Sequence, residues 1–241
     1  MEIVQKLPAA LAVACLMMLS SCSNDDALAP EPKVESVNTN SNLKVDVVVA
    51  PSIFSTQWYT GIDILPSNWS RNVDGYSNDV VAYPVGISSV RNLWGDPSRP
   101  FVQELILVPW ARNITTFITV KGASSWDTKK MSSVKTKIRN LKPGKKYALT
   151  VYVSSSIPKA TYGVINASFA KKCLIKLGNT VASQEEVVDL TSYKNCWVQK
   201  IITFTASGSE MDFAFSTSID QYSAYAYAHL LVGDNALKQL N

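Results

Sequence analysis

Three tryptophans sit among residues that favour turns and solvent. Trp69 stands in Pro66-Ser67-Asn68-Trp69-Ser70-Arg71, Trp94 in Arg91-Asn92-Leu93-Trp94-Gly95-Asp96, and Trp126 in Gly122-Ala123-Ser124-Ser125-Trp126-Asp127. Segments of this kind run over protein surfaces, so their indoles are expected to be exposed. The chemistry on offer is stacking. An indole face accepts the apolar C–H face of a sugar ring, while nearby Ser, Asn, Asp and Arg groups meet its hydroxyls. Trp94, Trp126, Trp69 and Arg91 are the ligand-binding candidates, in that order. The alternative for each ring is a structural one, closing an end of the fold. Trp58-Tyr59 follows the polar Ser55-Thr56-Gln57, and Trp197 lies in a strand segment where a structural role is expected.

Catalysis and metal binding find less support. His229 is the single histidine, so any triad or histidine metal site would rest on it. Its alternation with Tyr225 and Tyr227 suits a strand that packs aromatics, which makes it structural. A glycan hydrolase needs two carboxylates facing one cleft, and the sequence shows no such pairing. The expectation is a non-enzyme without a cofactor. Of four cysteines, Cys173 and Cys196 lie in the body. Either they form a disulfide closing a 24-residue loop, worth about 3 kcal/mol in the chain-entropy model, or they are two buried thiols.

The elements that must position these groups are strands. Period two runs through most of residues 43–241, and helical periodicity is scarce. Residues 44–49, 103–108 and 115–120 are strand candidates. Val134, Thr136 and Ile138 then alternate with Lys135, Lys137 and Arg139, giving one apolar face and one cationic face. That cationic stripe has two readings. It is a solvated face that protects a sheet edge, or it attracts acidic polysaccharide or lipopolysaccharide phosphate. Pro143-Gly144 marks a turn, and residues 146–154 follow with Tyr147, Leu149, Val151 and Val153 on one face. Residues 161–170, 172–176 and 197–205 continue the pattern. Met211, Phe213 and Phe215 share a core face, and residues 224–232 alternate Ala with larger side chains. Only residues 185–190 suggest a helical turn. Many short strands between Gly and Pro turns predict an all-β antiparallel sandwich or barrel.

Four segments narrow the fold: Ile138-Arg139-Asn140-Leu141-Lys142-Pro143-Gly144-Lys145-Lys146-Tyr147-Ala148-Leu149, then Trp197-Val198-Gln199-Lys200, then Ile202-Thr203-Phe204-Thr205-Ala206, and finally His229-Leu230-Leu231-Val232-Gly233-Asp234-Asn235-Ala236-Leu237. With them, the stretch from Thr136 to the C-terminus resembles the jelly-roll modules of the galactose-binding-like superfamily, which includes many carbohydrate-binding modules. The resemblance implies an antiparallel β-sandwich of jelly-roll type. It offers Asp234 as a candidate ligand of a structural calcium, with no partner ligands in view. Gly233 before Asp234 departs from the pattern at the final turn. Residues 43–125 carry no resemblance.

The N-terminus supplies an address. Lys6 precedes an apolar run from Leu7 to Leu19, which is too short for a membrane-spanning helix and of signal-peptide length. Leu19-Ser20-Ser21-Cys22 at its end resembles the lipobox of bacterial lipoproteins, in which the cysteine is acylated and becomes the mature N-terminus. Ser23-Asn24-Asp25-Asp26 is similar to the export signal of Bacteroidota lipoproteins displayed on the outer membrane's external face; the alternative is an anchor facing the periplasm. Residues 1–21 are thus expected as signal peptide, 22–42 as a Pro-, Ser- and Asn-rich tether, and 43–241 as one sandwich domain. The formal charge of +4 falls short of a nucleic-acid binder.

These features predict a lipid-anchored protein on the outer membrane that binds polysaccharide or oligosaccharide without cleaving it. An outer-membrane transporter and glycan-degrading enzymes are the expected associates. A pilus-type structural or adhesive subunit is the second reading, and a hydrolase on a jelly-roll scaffold the third.

Overall fold

Tyr147, Leu149, Val151 and Val153 face inward along the longest strand, Lys146–Ser156, and all four are fully buried. Ahead of that strand, Gly144 takes φ 76°, a left-handed value that glycine adopts without strain, and Pro143 fixes the preceding φ. The computed structural model describes residues 52–56, 58–108, 114–123, 127–159, 167–178, 183–218 and 224–241. By its contacts the chain divides into Met1–Asp46, which lies outside those residues, and Val47–Asn241, which holds every element below. The apolar run, Cys22, the tether, residues 44–49 and Trp126 lie outside the described residues.

In chain order the strands are β1 Gly61–Ile62, β2 Ser70–Arg71, β3 Val85–Ser89, β4 Thr116–Gly122, β5 Ser133–Ile138, β6 Lys146–Ser156, β7 Ala167–Phe169, β8 Lys172–Leu177, β9 Gln184–Asp189, β10 Val198–Thr205, β11 Met211–Ser218, β12 Tyr225–Leu231 and β13 Leu237–Leu240. One sheet of eight strands runs β1-β3-β4-β12-β6-β10, with β13 on β6 and β7 on β12; a second of five runs β2-β5-β11-β8-β9. Among the described residues every strand pairing is antiparallel except β7 with β12. From β4 onward the chain passes repeatedly from one sheet to the other, which is the crossing pattern of a jelly-roll sandwich. The expected all-β antiparallel sandwich is the observed fold.

Between the sheets, Val134, Ile138, Ile175, Phe213 and Phe215 meet Ile118, Val120, Leu149, Val151, Ala228 and Leu230, all fully buried. A second apolar layer lies outside the eight-stranded sheet. There residues 90–108 fold over β4 and β12, so that Leu93, Trp94, Phe101 and Leu105 bury Phe117 and Tyr227. Backbone bonds hold the cover in place: Val90 N–H donates to Thr115 O, Val102 N–H to Ile157 O, and Lys159 N–H to Pro100 O. This layer revises one sequence expectation. Residues 103–108 form no strand; Leu105 and Val108 are buried as part of the cover instead.

Residues 185–190 are also corrected, from a helical turn to strand β9. Pairing decides it, because Leu174 and Ile175 of β8 take Val187 and Glu186 as partners and Val188 turns into the core. The cysteines are unjoined: Cys173 is buried in β8, Cys196 is exposed, and both are free. Burial pushes the Cys173 thiol far above its usual range.

Candidate functional site

Trp94 lies in a one-turn 3-10 helix, Leu93–Gly95, with its ring 4% exposed. Its backbone N–H donates to Ser88 Oγ at 2.9 Å, and its ring meets Tyr227 edge-on at 6.3 Å. Trp69 is 8% exposed; its indole N–H donates to the Phe54 carbonyl at 2.6 Å and its ring meets Phe213 edge-on at 5.7 Å. Neither ring offers a face to a ligand. Their polar sequence neighbours serve the backbone rather than solvent: Asn68 and Gly95 hold left-handed φ values of 68° and 66° beside them. Trp126 lies outside the described residues. Arg91 is exposed on the cover over the eight-stranded sheet, where its guanidinium pairs with Glu104 at 3.2 Å. The described candidates therefore do not come together.

His229 is a structural group. It is fully buried on the outer side of β12, beneath the cover, between the Phe101 and Phe117 rings. Ser156 Oγ lies 2.7 Å from Nε2 and Thr119 Oγ1 lies 3.0 Å from Nδ1; Thr119 also donates to Ser88 Oγ at 2.7 Å. One direction satisfies the whole chain: Ser156 donates to Nε2, and Nδ1–H donates to Thr119. The imidazole is thus held neutral, and burial pushes its pKa down to about 3. Asp234 is exposed, and no three acidic, Cys or His side chains form a metal-sized cluster among the described residues.

The open surface is on the other sheet. Across all five strands one row of outward residues runs Ser70, Lys135, Ala214, Lys176 and Glu185 in direct register. Next to it Lys137 stands opposite Asp212. The short Ala214 side chain leaves a hollow between the two lysines. The result is an open groove of about 660 Å³, walled by Asn68, Asn72, Asp74 and Tyr76 on one side and reaching Gly178 and Ser183 on the other. That volume falls in the range of small-ligand sites. Phe213 also borders it but is fully buried, so Tyr76 is the lining aromatic with exposed surface.

Each cation in the groove has a carboxylate partner. Lys135 Nζ lies 2.5 Å from Asp74, Lys137 Nζ 3.0 Å from Glu210, Arg139 Nε 3.6 Å from Glu210, and Lys176 Nζ 3.1 Å from Glu185. Hydrogen bonds from Lys176 to Glu185 and its contact with Tyr76 hold that ammonium above the ordinary lysine range. The wall is fixed from below: Ser216 Oγ donates to Tyr76 Oη at 3.4 Å, and the Arg71 guanidinium donates to Tyr83 O at 2.8 Å and Asp79 O at 3.1 Å, bracing the loop that carries Asp74 and Tyr76. Sequence reasoning found Lys135, Lys137 and Arg139 as a stripe but missed the groove. Its floor is a single alanine, and its acids come from strands and loops far along the chain.

The two most exposed aromatics among the described residues lie elsewhere. Trp58 is 94% exposed and Tyr59 73%, and neither lines the groove.

No protein-family model matches the chain, and no curated protein matches it. Solved structures resemble it distantly. The enzymatically active domain of bacteriophage CBA120 tailspike protein 4 shares 12% identity at a TM-score of 0.42, over 72% of this chain and 20% of that one. TmCBM61 in complex with beta-1,4-galactotriose shares 12% at 0.39, over 72% and 90%. The CBM22-1 xylan-binding domain from Paenibacillus barcinonensis Xyn10C shares 10% at 0.40, over 76% and 97%.

Proposed function

We propose that the protein captures carbohydrate in the groove across its five-stranded sheet. The observation that carries this reading is the row Ser70-Lys135-Ala214-Lys176-Glu185, flanked by Asp74, Tyr76 and Asp212. A polyhydroxylated ring needs donors and acceptors interleaved at short spacing, and strand register supplies them on a rigid surface. Lysine ammoniums donate to sugar oxygens, carboxylates accept from hydroxyls, and Tyr76 adds apolar ring surface at the rim. The role is non-catalytic: the groove holds the glycan and raises its local concentration.

The sequence Leu19-Ser20-Ser21-Cys22 with its acidic follow-on supports lipid attachment at Cys22 and display on the exterior of an outer membrane. More than one acyl chain would make that anchorage firm. A glycan transporter and glycan-degrading enzymes of the same surface are the partners this role implies.

The test is affinity electrophoresis of the mature chain, residues 22–241 with Cys22→Ser, through gels holding neutral and acidic polysaccharides. Retardation that Lys176→Met or Asp212→Ala abolishes supports the groove. Equal retardation of both variants places binding elsewhere, and product sugars on chromatography overturn the non-catalytic role. Labelled palmitate incorporation that Cys22→Ala removes, with protease shaving of intact cells, tests the address.

A further inference from the structure

We propose that the groove selects an uncharged glycan, and that Glu210 is the residue that sets this choice. The inference rests on the carbohydrate reading above and concerns the charge of what is bound. Read along the chain, the region is strongly basic, with nine Lys or Arg and one acid between Lys121 and Lys146. Folding offsets the positive charge on the groove face. Lys135, Lys137, Arg139 and Lys176 are paired by three carboxylates, Asp74, Glu210 and Glu185, and a fourth, Asp212, stands in register opposite Lys137. Beyond the apolar pair Leu174–Val187, Lys172 stands opposite Asp189.

An acidic polymer approaching this face meets no net attraction, and to contact a lysine it must displace a carboxylate already there. A neutral sugar meets no such barrier. Its hydroxyls can accept from the ammoniums and donate to the free lone pairs of the carboxylates while every ion pair stays intact. Like-charge contact is a means of rejecting wrong ligands as well as binding right ones.

Glu210 holds the balance because it serves two cations at once, Lys137 at 3.0 Å and Arg139 at 3.6 Å. It lies just before β11 and does not line the hollow itself. Removing its charge frees both cations on the rim and leaves the groove net positive. The pairs are half-exposed, so the change acts on the local field more than on stability.

The experiment compares wild type with Glu210→Gln in the mature chain carrying Cys22→Ser. Probes are a panel of neutral polysaccharides, polygalacturonate, and dextran sulfate as a generic polyanion, each at low and high salt. Expected for wild type is retardation by a neutral glycan, unchanged between about 10 mM and about 1 M salt, where the Debye length falls from about 30 Å to about 3 Å. Expected for Glu210→Gln is retained neutral binding plus new retardation by dextran sulfate, about tenfold stronger than wild type at low salt and abolished at high salt. Salt-sensitive binding of wild type to polygalacturonate would overturn the proposal, as would identical dextran sulfate behaviour of the two proteins. If wild type binds no glycan at all, the carbohydrate reading falls, while the dextran sulfate arm still decides whether Glu210 sets the charge. Matching circular dichroism spectra and thermal midpoints exclude misfolding as the cause of a difference.

Discussion

The outer face of the eight-stranded sheet carries Phe117, Thr119, Tyr227 and His229, and residues 90–108 cover it. The outer face of the five-stranded sheet carries Lys135, Asp212, Ala214 and Lys176, and nothing among the described residues covers its centre. Both faces begin from the same alternation of strands. What separates them is the content of the outward positions: aromatic and hydroxyl groups recruit a loop and form a second core, whereas charges stay in water and leave a groove. Aromatic residues, the usual signature of a sugar site, therefore cluster on the buried face here, and the proposed site is written in charges, one alanine and the ring of Tyr76.

The sharpest way to break this contrast is Trp94→Ala. If the covered face is a true core, removing a ring that is 4% exposed costs about 3–5 kcal/mol. Denaturant unfolding would show it as a fall in midpoint, with glycan affinity of the folded protein unchanged. Loss of affinity with unchanged stability would mean that Trp94 is a ligand platform after all.

Acid should act on the same face next. In the folded protein His229 titrates at about 3, against an ordinary 6.5. Between those values the unfolded chain binds a proton that the folded one refuses, so stability is full above about pH 6.5 and falls as pH drops toward 3. The slope attributable to His229 is about 1.4 kcal/mol per pH unit. Unfolding curves taken from pH 7 to 4 check it, and His229→Asn should flatten this part of the pH dependence. An equal slope in that variant would assign the effect to other groups.

On the open face, Ala214→Trp should leave stability within about 0.5 kcal/mol, as surface changes usually do. It fills the hollow between Lys135 and Lys176, so glycan affinity should fall at least about tenfold, which is about 1.4 kcal/mol. Isothermal titration reads both affinity and stoichiometry. A variant that binds as wild type would move the ligand off this sheet.

The fold was legible because alternation is local. Strands β4, β6, β10 and β12 lie within two residues of their expected ends, since each writes its inward face in its own sequence. The site was hidden because it is not local. Lys135 finds Asp74 across 61 positions and Lys137 finds Glu210 across 73, and no window along the chain holds both partners. Trp69 and Trp94 misled for a related reason. Turn chemistry at Asn68 and Gly95 looks like exposure in a sequence, yet it can equally hold a ring against a core. Residues 103–108 alternate like a strand but pack as a cover, because their apolar side chains find a sheet face rather than a strand partner.

The smallest expected effect concerns the ion pairs themselves. Lys135 and Asp74 are 41% and 74% exposed along their side chains, so water already solvates both charges and salt screens their attraction. A double-mutant cycle with Lys135→Met and Asp74→Asn should give a coupling to stability below about 1 kcal/mol. The same cycle read on glycan binding should give a larger coupling, because a bound sugar excludes water and fixes both groups at once. If the two couplings were equal and small, the pair would be only surface charge, and the open face would differ from the covered one in exposure alone. If binding coupling exceeds stability coupling, the charges on this face are held in place for a ligand, as the aromatics on the other are held in place for the fold.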